Sequence, residues 1–272
     1  MNKTPDSNQP IGIFDSGIGG LTVVKAVMKK LPHENVIYFG DTAHVPYGTK
    51  SDQAINRFSA EITRFLIKHD VKMILIACNS VSAVAKETVT SNAGSIPVLD
   101  VITAGTQAAI ATGSKSIGVI GTLATIGSGA YERSLRQRNN QLQIKSKACP
   151  LLVPLAEEGW TDNEVAKNTL SLYLSEFMQN NIDSIILGCT HYPLFTSTLQ
   201  ALFNNRAVTI IDSADSIAEM AQNLLVRHKL INTQTSRGHF NCFVSDRPQR
   251  FRELSERFLG RPVPDVQIVN LA

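Results

Sequence analysis

Ile74-Leu75-Ile76-Ala77-Cys78-Asn79-Ser80 is a short, unbroken apolar run that ends on a thiol and a polar pair. Ile185-Ile186-Leu187-Gly188-Cys189-Thr190-His191 repeats the pattern in the second half of the chain. A run this short and this rich in isoleucine predicts a strand buried on both faces, as in a parallel sheet covered by helices. Each thiol then stands where a strand gives way to a loop, and open α/β sheets hold their ligands there. Two thiols in matching places predict chemistry with one sulfur on each side of a substrate.

Outward from Cys78, the same alternation continues. Ile11 to Phe14, Val36 to Phe39, Lys72 to Ala77 and Pro97 to Leu99 read as strands, separated by helical patterns at Leu21 to Leu31, Ile55 to Lys68 and Val81 to Val89. Ser116 to Gly121 begins a second round, with a helix around Gly129 to Gln137, a strand-like run at Leu151 to Leu155, a long helix from Asn163 to Asn180 and the strand Ser184 to Gly188. Asp15 lies 63 residues before Cys78, and Thr122 lies 67 before Cys189, which reads as one α/β unit used twice. Val208 to Asp212 predicts a further strand, Ala214 to Lys229 a helix, and His239 to Ser245 an edge strand. The expected architecture is α/β: two pseudo-symmetric domains with mainly parallel sheets flanked by helices, and a site in the cleft between them. Residues 1–101 with 212–272 form the first domain and 102–211 the second.

The chain has 272 residues, 43% apolar and 18% charged, enough for a packed core and unlike a disordered segment. A net charge of +3 gives no reason to expect nucleic acid or a membrane surface as partner. The arginines between Arg247 and Arg261 share a stretch with Phe251, Leu254 and Phe258 at helical spacing, which predicts a docked amphipathic helix with a solvated basic face. Met1 to Pro10 is polar and has no signal-peptide core, and no apolar run approaches the ~18 residues of a membrane span. A cytoplasmic protein is expected. Its four cysteines contain no CxxC pair, so free thiols are expected and zinc is not.

A thiolate is the reactive form of cysteine, and a helix N-terminus helps to hold that charge. Cys78 and Cys189 both precede such a terminus. His191, two residues beyond Cys189, can polarise the thiol, hold a carboxylate or tune a proton transfer. Asp15-Ser16-Gly17-Ile18-Gly19-Gly20 opens the first helix; its aspartate can cap that helix or grip an ammonium group. It matches no nucleotide-binding fingerprint. Asp41 to Gly48 ends in a stiff Pro-Tyr-Gly turn at the second strand end, and Glu157-Glu158-Gly159 offers a carboxylate toward the cleft.

FDSGIGG (Phe14 to Gly20), GDTAHVPYG (Gly40 to Gly48), ACNS (Ala77 to Ser80), GVIGT (Gly118 to Thr122), PLAEEG (Pro154 to Gly159) and GCTHYPL (Gly188 to Leu194) occur in this order over most of the chain. Together they resemble the glutamate racemases of the aspartate/glutamate racemase superfamily. The resemblance implies two-base racemisation of glutamate with no cofactor and no metal, D-glutamate going to peptidoglycan, and a homodimer. It implies that Cys78 acts on D-glutamate and Cys189 on L-glutamate. Asp15, Ser16, Tyr47, Gly48, Asn79, Ser80, Thr190 and His191 match substrate-binding positions. Asp15, Glu157 and His191 match groups that tune the thiols, and Asp41 matches a further acid near the site. Ser80 and Val81 depart from the family's usual threonine and small residue; serine keeps the hydroxyl but loses a methyl group.

Two other readings start from the same residues. A thiol hydrolase would use Cys189 and His191 alone, although no third triad member or oxyanion hole is marked in the sequence. A small-ligand sensor would bind an amino acid without exchanging its protons.

Overall fold

The computed structural model describes residues 6–203 and 206–271; of the Met1 to Pro10 tail, residues 1–5 lie outside them. Four strands come first: β1 (Ile11–Asp15), β2 (Val36–Gly40), β3 (Met73–Ile76) and β4 (Val98–Asp100). Four more follow: β5 (Ser116–Gly121), β6 (Gln143–Ala148), β7 (Ser184–Gly188) and β8 (Thr209–Ile211). The last two, β9 (Phe240–Val244) and β10 (Val266–Ile268), return to the first sheet. That sheet runs β10-β9-β2-β1-β3-β4 and the second runs β6-β5-β7-β8. Every pairing in both is parallel.

The order β2-β1-β3-β4 in one sheet is the order β6-β5-β7-β8 in the other. In each, the first strand of the unit has its second on one side and its third on the other, so connections leave in opposite directions and open a crevice at the strand ends. The registers Phe14 to Ile76 and Gly121 to Gly188 bring those ends level. Asp15 and Ser16 therefore rise beside Cys78, and Thr122 beside Cys189.

The central strands β1, β2, β3, β5 and β7 are buried throughout, as unbroken apolar runs require. Two expectations need correction. Leu151 to Leu155 is no strand: Leu152–Glu158 is a helix, and Pro154 sits in its first turn, where the missing N–H removes no helical hydrogen bond. The strand preceding it is β6, at the sheet edge, whose sequence QIKSKA is half solvated and carries the lysines that protect an edge. His239 to Ser245 is not at an edge either, because β10 pairs on its outer side.

The basic C-terminal stretch forms the helix Pro248–Leu259, which buries Phe251, Leu254 and Phe258, as expected. No helix among the described residues is long and apolar enough to cross a membrane.

Lys72, just before β3, is fully buried against Glu34 at 2.5 Å, and its ammonium also donates to the carbonyls of Ser7 and Leu230. Glu34 in turn accepts the backbone N–H of Asn232. Burial presses the lysine pKa down and the glutamate opposes it. Lys72→Met is expected to cost about 3–5 kcal/mol in urea unfolding, because it strands a buried carboxylate, and adding Glu34→Leu is expected to recover most of that.

Candidate active site

Cys78 follows β3 and caps the helix Asn79–Val84, while Cys189 follows β7. Both thiols line one cavity of about 310 Å³. They are 5% and 6% exposed, so water reaches them only through that space. Ser16, Tyr47, Gly48, Asn79, Ser80, Glu157, Thr190 and His191 line it as well. Of the site residues expected from sequence, only Asp15 and Asp41 lie behind the wall. Leu123, Pro150, Val153 and Pro154 supply an apolar flank. Cys149 and Cys242 are buried in the cores and do not line the cleft.

The two thiols have different surroundings. Cys78 donates toward Ser16 Oγ at 3.6 Å. Burial pushes its pKa up to about 12, and the nearby Asp15 carboxylate adds to the rise. The backbone N–H groups of Val81 and Ser16 pull against it. Cys189 Sγ instead lies 3.9 Å from His191 Nδ1, and His191 Nε2 lies 3.0 Å from Glu157 Oε1. Burial alone would lower the His191 pKa, but hydrogen bonds to Cys189 and Glu157, with their charges, raise it to about 10. His191 is thus a buried cation at neutral pH, the counter-ion that a thiolate needs. Glu157 is held below the usual carboxylate range: burial pushes it up, and the hydrogen bond and charge of His191, with Arg250, outweigh that.

Glu157 stands behind His191 as a third member that nothing in the sequence marks as its partner. The two are 34 residues apart, so only the fold joins them. The helix Pro248–Leu259 braces this pair from the other half of the molecule. Arg257 donates to the Glu157 carbonyl, and the Phe258 ring meets His191 edge to face at 5.1 Å.

Asp15, 1% exposed, accepts from the Gly17 N–H at 3.0 Å and from the Thr190 hydroxyl at 3.4 Å. Burial raises its pKa, against the charge of His191 and the hydrogen bonds it accepts. It sits behind the wall of the cleft, near Cys78 and bonded to Thr190 from the other half. The halves are close enough there that a Cβ on Gly19 would stand 2.2 Å from Thr190 Oγ1. Gly48 plays the same part at the opposite wall, where a Cβ would stand 2.7 Å from Thr122 Cβ.

Asp41 is an anchor. It accepts from the Tyr47 hydroxyl at 2.5 Å, the Ser245 hydroxyl at 2.6 Å and His44 Nδ1 at 2.9 Å. These bonds pin the Pro46 to Gly48 turn, so the Tyr47 hydroxyl is engaged with Asp41. Thr122 is the residue that sequence reading left out of the site: its hydroxyl meets Ser80 Oγ at 2.9 Å across the cleft. Its position as the counterpart of Asp15 was the available signal. Ser80 keeps a cross-cleft partner despite its missing methyl group, and Val81 turns into the first-half core.

The model of the family described as Asp/Glu/Hydantoin racemase matches residues 21–221. The chain belongs to that family. The match begins after Asp15 and Ser16 and takes in both thiols and their flanking motifs. A racemase relative, the glutamate racemase of Chlorobaculum parvum, is 49% identical over 266 residues, 97% of each chain. The glutamate racemase of Neisseria meningitidis serogroup C is 47% identical over 264 residues, again 97% of each. Among solved racemase structures, that of Francisella tularensis glutamate racemase in complex with D-glutamate superposes with a TM-score of 0.92 at 42% identity. It covers 97% of this chain and 98% of its own.

Proposed function

We propose that this protein is a glutamate racemase that interconverts L- and D-glutamate with Cys78 and Cys189 as its two acid/base groups and without a cofactor. The observation that carries the reading is the shared cleft: two thiols at equivalent strand ends open onto one cavity of about 310 Å³. Its name-bearing relatives support the choice of substrate.

In the L-to-D direction the Cys189 thiolate takes the α-proton, with the His191 imidazolium as counter-ion. The Cys78 thiol returns a proton to the opposite face of the carbanion. Afterwards Cys78 is the thiolate and Cys189 the thiol, ready for the reverse reaction. The substrate ammonium enters the field of the buried Asp15 carboxylate without touching it; that cation offsets the charge that holds Cys78 protonated and acidifies the α-carbon beside it. Ser16, Asn79, Ser80 and Thr190 donate to the substrate's carboxylates, whose fixed donors favour the developing negative charge over the ground state. The turn at Tyr47 and Gly48 closes the far end of the cavity, and Glu157 acts through His191.

The same reading assigns residues 1–101 with 212–272 to one lobe and 102–211 to the other, so that each lobe supplies one thiol. On the resemblance of its motifs, the reading extends to a cytoplasmic homodimer that feeds D-glutamate to peptidoglycan. Incubation with L-glutamate in D2O tests the activity. D-glutamate carrying α-deuterium is expected. A covalent acyl intermediate would favour the hydrolase instead, and tight amino-acid binding without exchange would favour the sensor.

A further inference from the structure

Asn79 is the first residue of the helix that Cys78 caps, and it is 2% exposed on the wall of the cleft. Its Oδ1 accepts the hydroxyl of Tyr131 at 2.8 Å. Its Nδ2 is buried and has no partner among the described residues. Buried amides are seldom left half satisfied, and the cost of an unmade bond is of the order of the bond itself or more. An amide donor in that condition on a ligand cavity is waiting for an acceptor.

Tyr131 decides which end of the amide is left without a partner. It lies on the helix Ala130–Arg138, in the half of the molecule opposite Asn79, and is itself buried. Its hydroxyl is packed against the helix Val101–Ala111, where a Cβ on Gly105 would stand 3.2 Å from the oxygen. Burial, with the charges of Asp100 and Asp212, keeps the phenol protonated at any working pH, so it has a proton to give. Donation into Oδ1 satisfies that proton and leaves only Nδ2 free. The reversed amide would leave two groups unpaired, the phenol proton and Oδ1.

We propose that Tyr131 is a positioning residue for the reaction: by donating to Asn79 Oδ1 across the two halves, it presents the Asn79 N–H to a carboxylate of the substrate. The bond spans the two halves, so the donor is set only while they are together. This deepens the racemase reading and rests on it.

Tyr131→Phe removes one oxygen from a packed ring. It is expected to raise KM for both enantiomers about tenfold, the lower end of what a hydrogen bond to a charged group is worth, with kcat changed less than about threefold. The decisive measurement is a double-mutant cycle with Asn79→Ala. If Tyr131 acts through the amide, Tyr131→Phe has no further effect on KM once Asn79 is alanine. Asn79→Asp, which turns a carboxylate oxygen toward the substrate, is expected to lose at least about 100-fold in kcat/KM. Additive effects in the cycle, an unchanged KM in Tyr131→Phe, or near-parental kcat/KM in Asn79→Asp would each overturn the assignment. A parent protein that fails to racemise glutamate would instead strike at the activity itself, so the two failures are distinguishable.

Discussion

Cys78→Ser and Cys189→Ser are each expected to lower the racemisation kcat by about 10³-fold, within the range of a positioned acid or base. The substitution changes one atom and leaves the cleft intact, so thermal unfolding should move little. What it removes is the more acidic and more polarisable group, because a thiol gives and takes a proton far more readily than a serine hydroxyl in the same place. The thiols serve opposite faces, so the single variants should fail differently. Cys189→Ser retains Cys78 and is expected to exchange the α-proton of D-glutamate with solvent deuterium while forming little L-glutamate. Cys78→Ser is expected to do the converse with L-glutamate. Mass spectrometry of each enantiomer after incubation in D2O reads both. Parental racemisation by either variant would refute the two-base assignment, and equal exchange of both enantiomers in a variant would refute the assignment of faces.

The parts of this molecule that were legible in its sequence are those whose chemistry is local. A central parallel strand is apolar on both faces, so Met73–Ile76 and Ser184–Gly188 announce themselves, and the polar residues after them mark the strand ends. The twofold use of one unit was visible in the same way and reappears as the common strand order of the two sheets. Edge strands carry no such signal. Gln143–Ala148 hid because lysines that discourage edge pairing also erase its apolar pattern. Leu151 to Leu155 misled because five residues of apolar character fit a buried strand and a buried helical turn equally well.

The site divides along similar lines. Cys78, Asn79 and Ser80 are neighbours in sequence and in space, and so are Cys189, Thr190 and His191. The contacts that differentiate the two thiols are long-range: Glu157 on His191, Arg257 on the Glu157 carbonyl, Asp15 near Cys78. Residue types at strand ends can suggest that such groups matter, but only the packing of one half against the other shows that Asp15 bears on the Cys78 side while a cation sits at Cys189. On the two-base reading, that asymmetry sets His191 beside one thiol and the Asp15 carboxylate near the other, so the two directions of the reaction start from unlike surroundings.

Glu157→Gln is expected to lower the midpoint of the His191 imidazole titration, followed by NMR, from about 10 toward the ordinary histidine value near 6.5. The sign follows from the forces on the ring. Burial disfavours the imidazolium, and the bonds to Cys189 and Glu157 overcome it; the amide keeps the shape of the side chain but removes one of the two opposing charges. The raised folded-state value also fixes the pH dependence of stability. His191 contributes fully below about 6.5, and the contribution is lost as pH climbs toward about 10. In Glu157→Gln the contribution is smaller from the outset, so the parent and variant should differ most in urea unfolding just below about 6.5, and the difference should fade as pH climbs toward about 10. Catalysis should follow the same proton. At pH 8 most of the variant would have a neutral His191 and no cation beside a Cys189 thiolate, and kcat is expected to fall by about 10²-fold. Activity should recover partly as pH is lowered and the imidazole regains its charge, whereas the parent stays on a plateau. An unmoved His191 midpoint, or a fall in kcat that is the same at every pH, would mean that Glu157 holds the cleft together mechanically and does not govern the charge at Cys189.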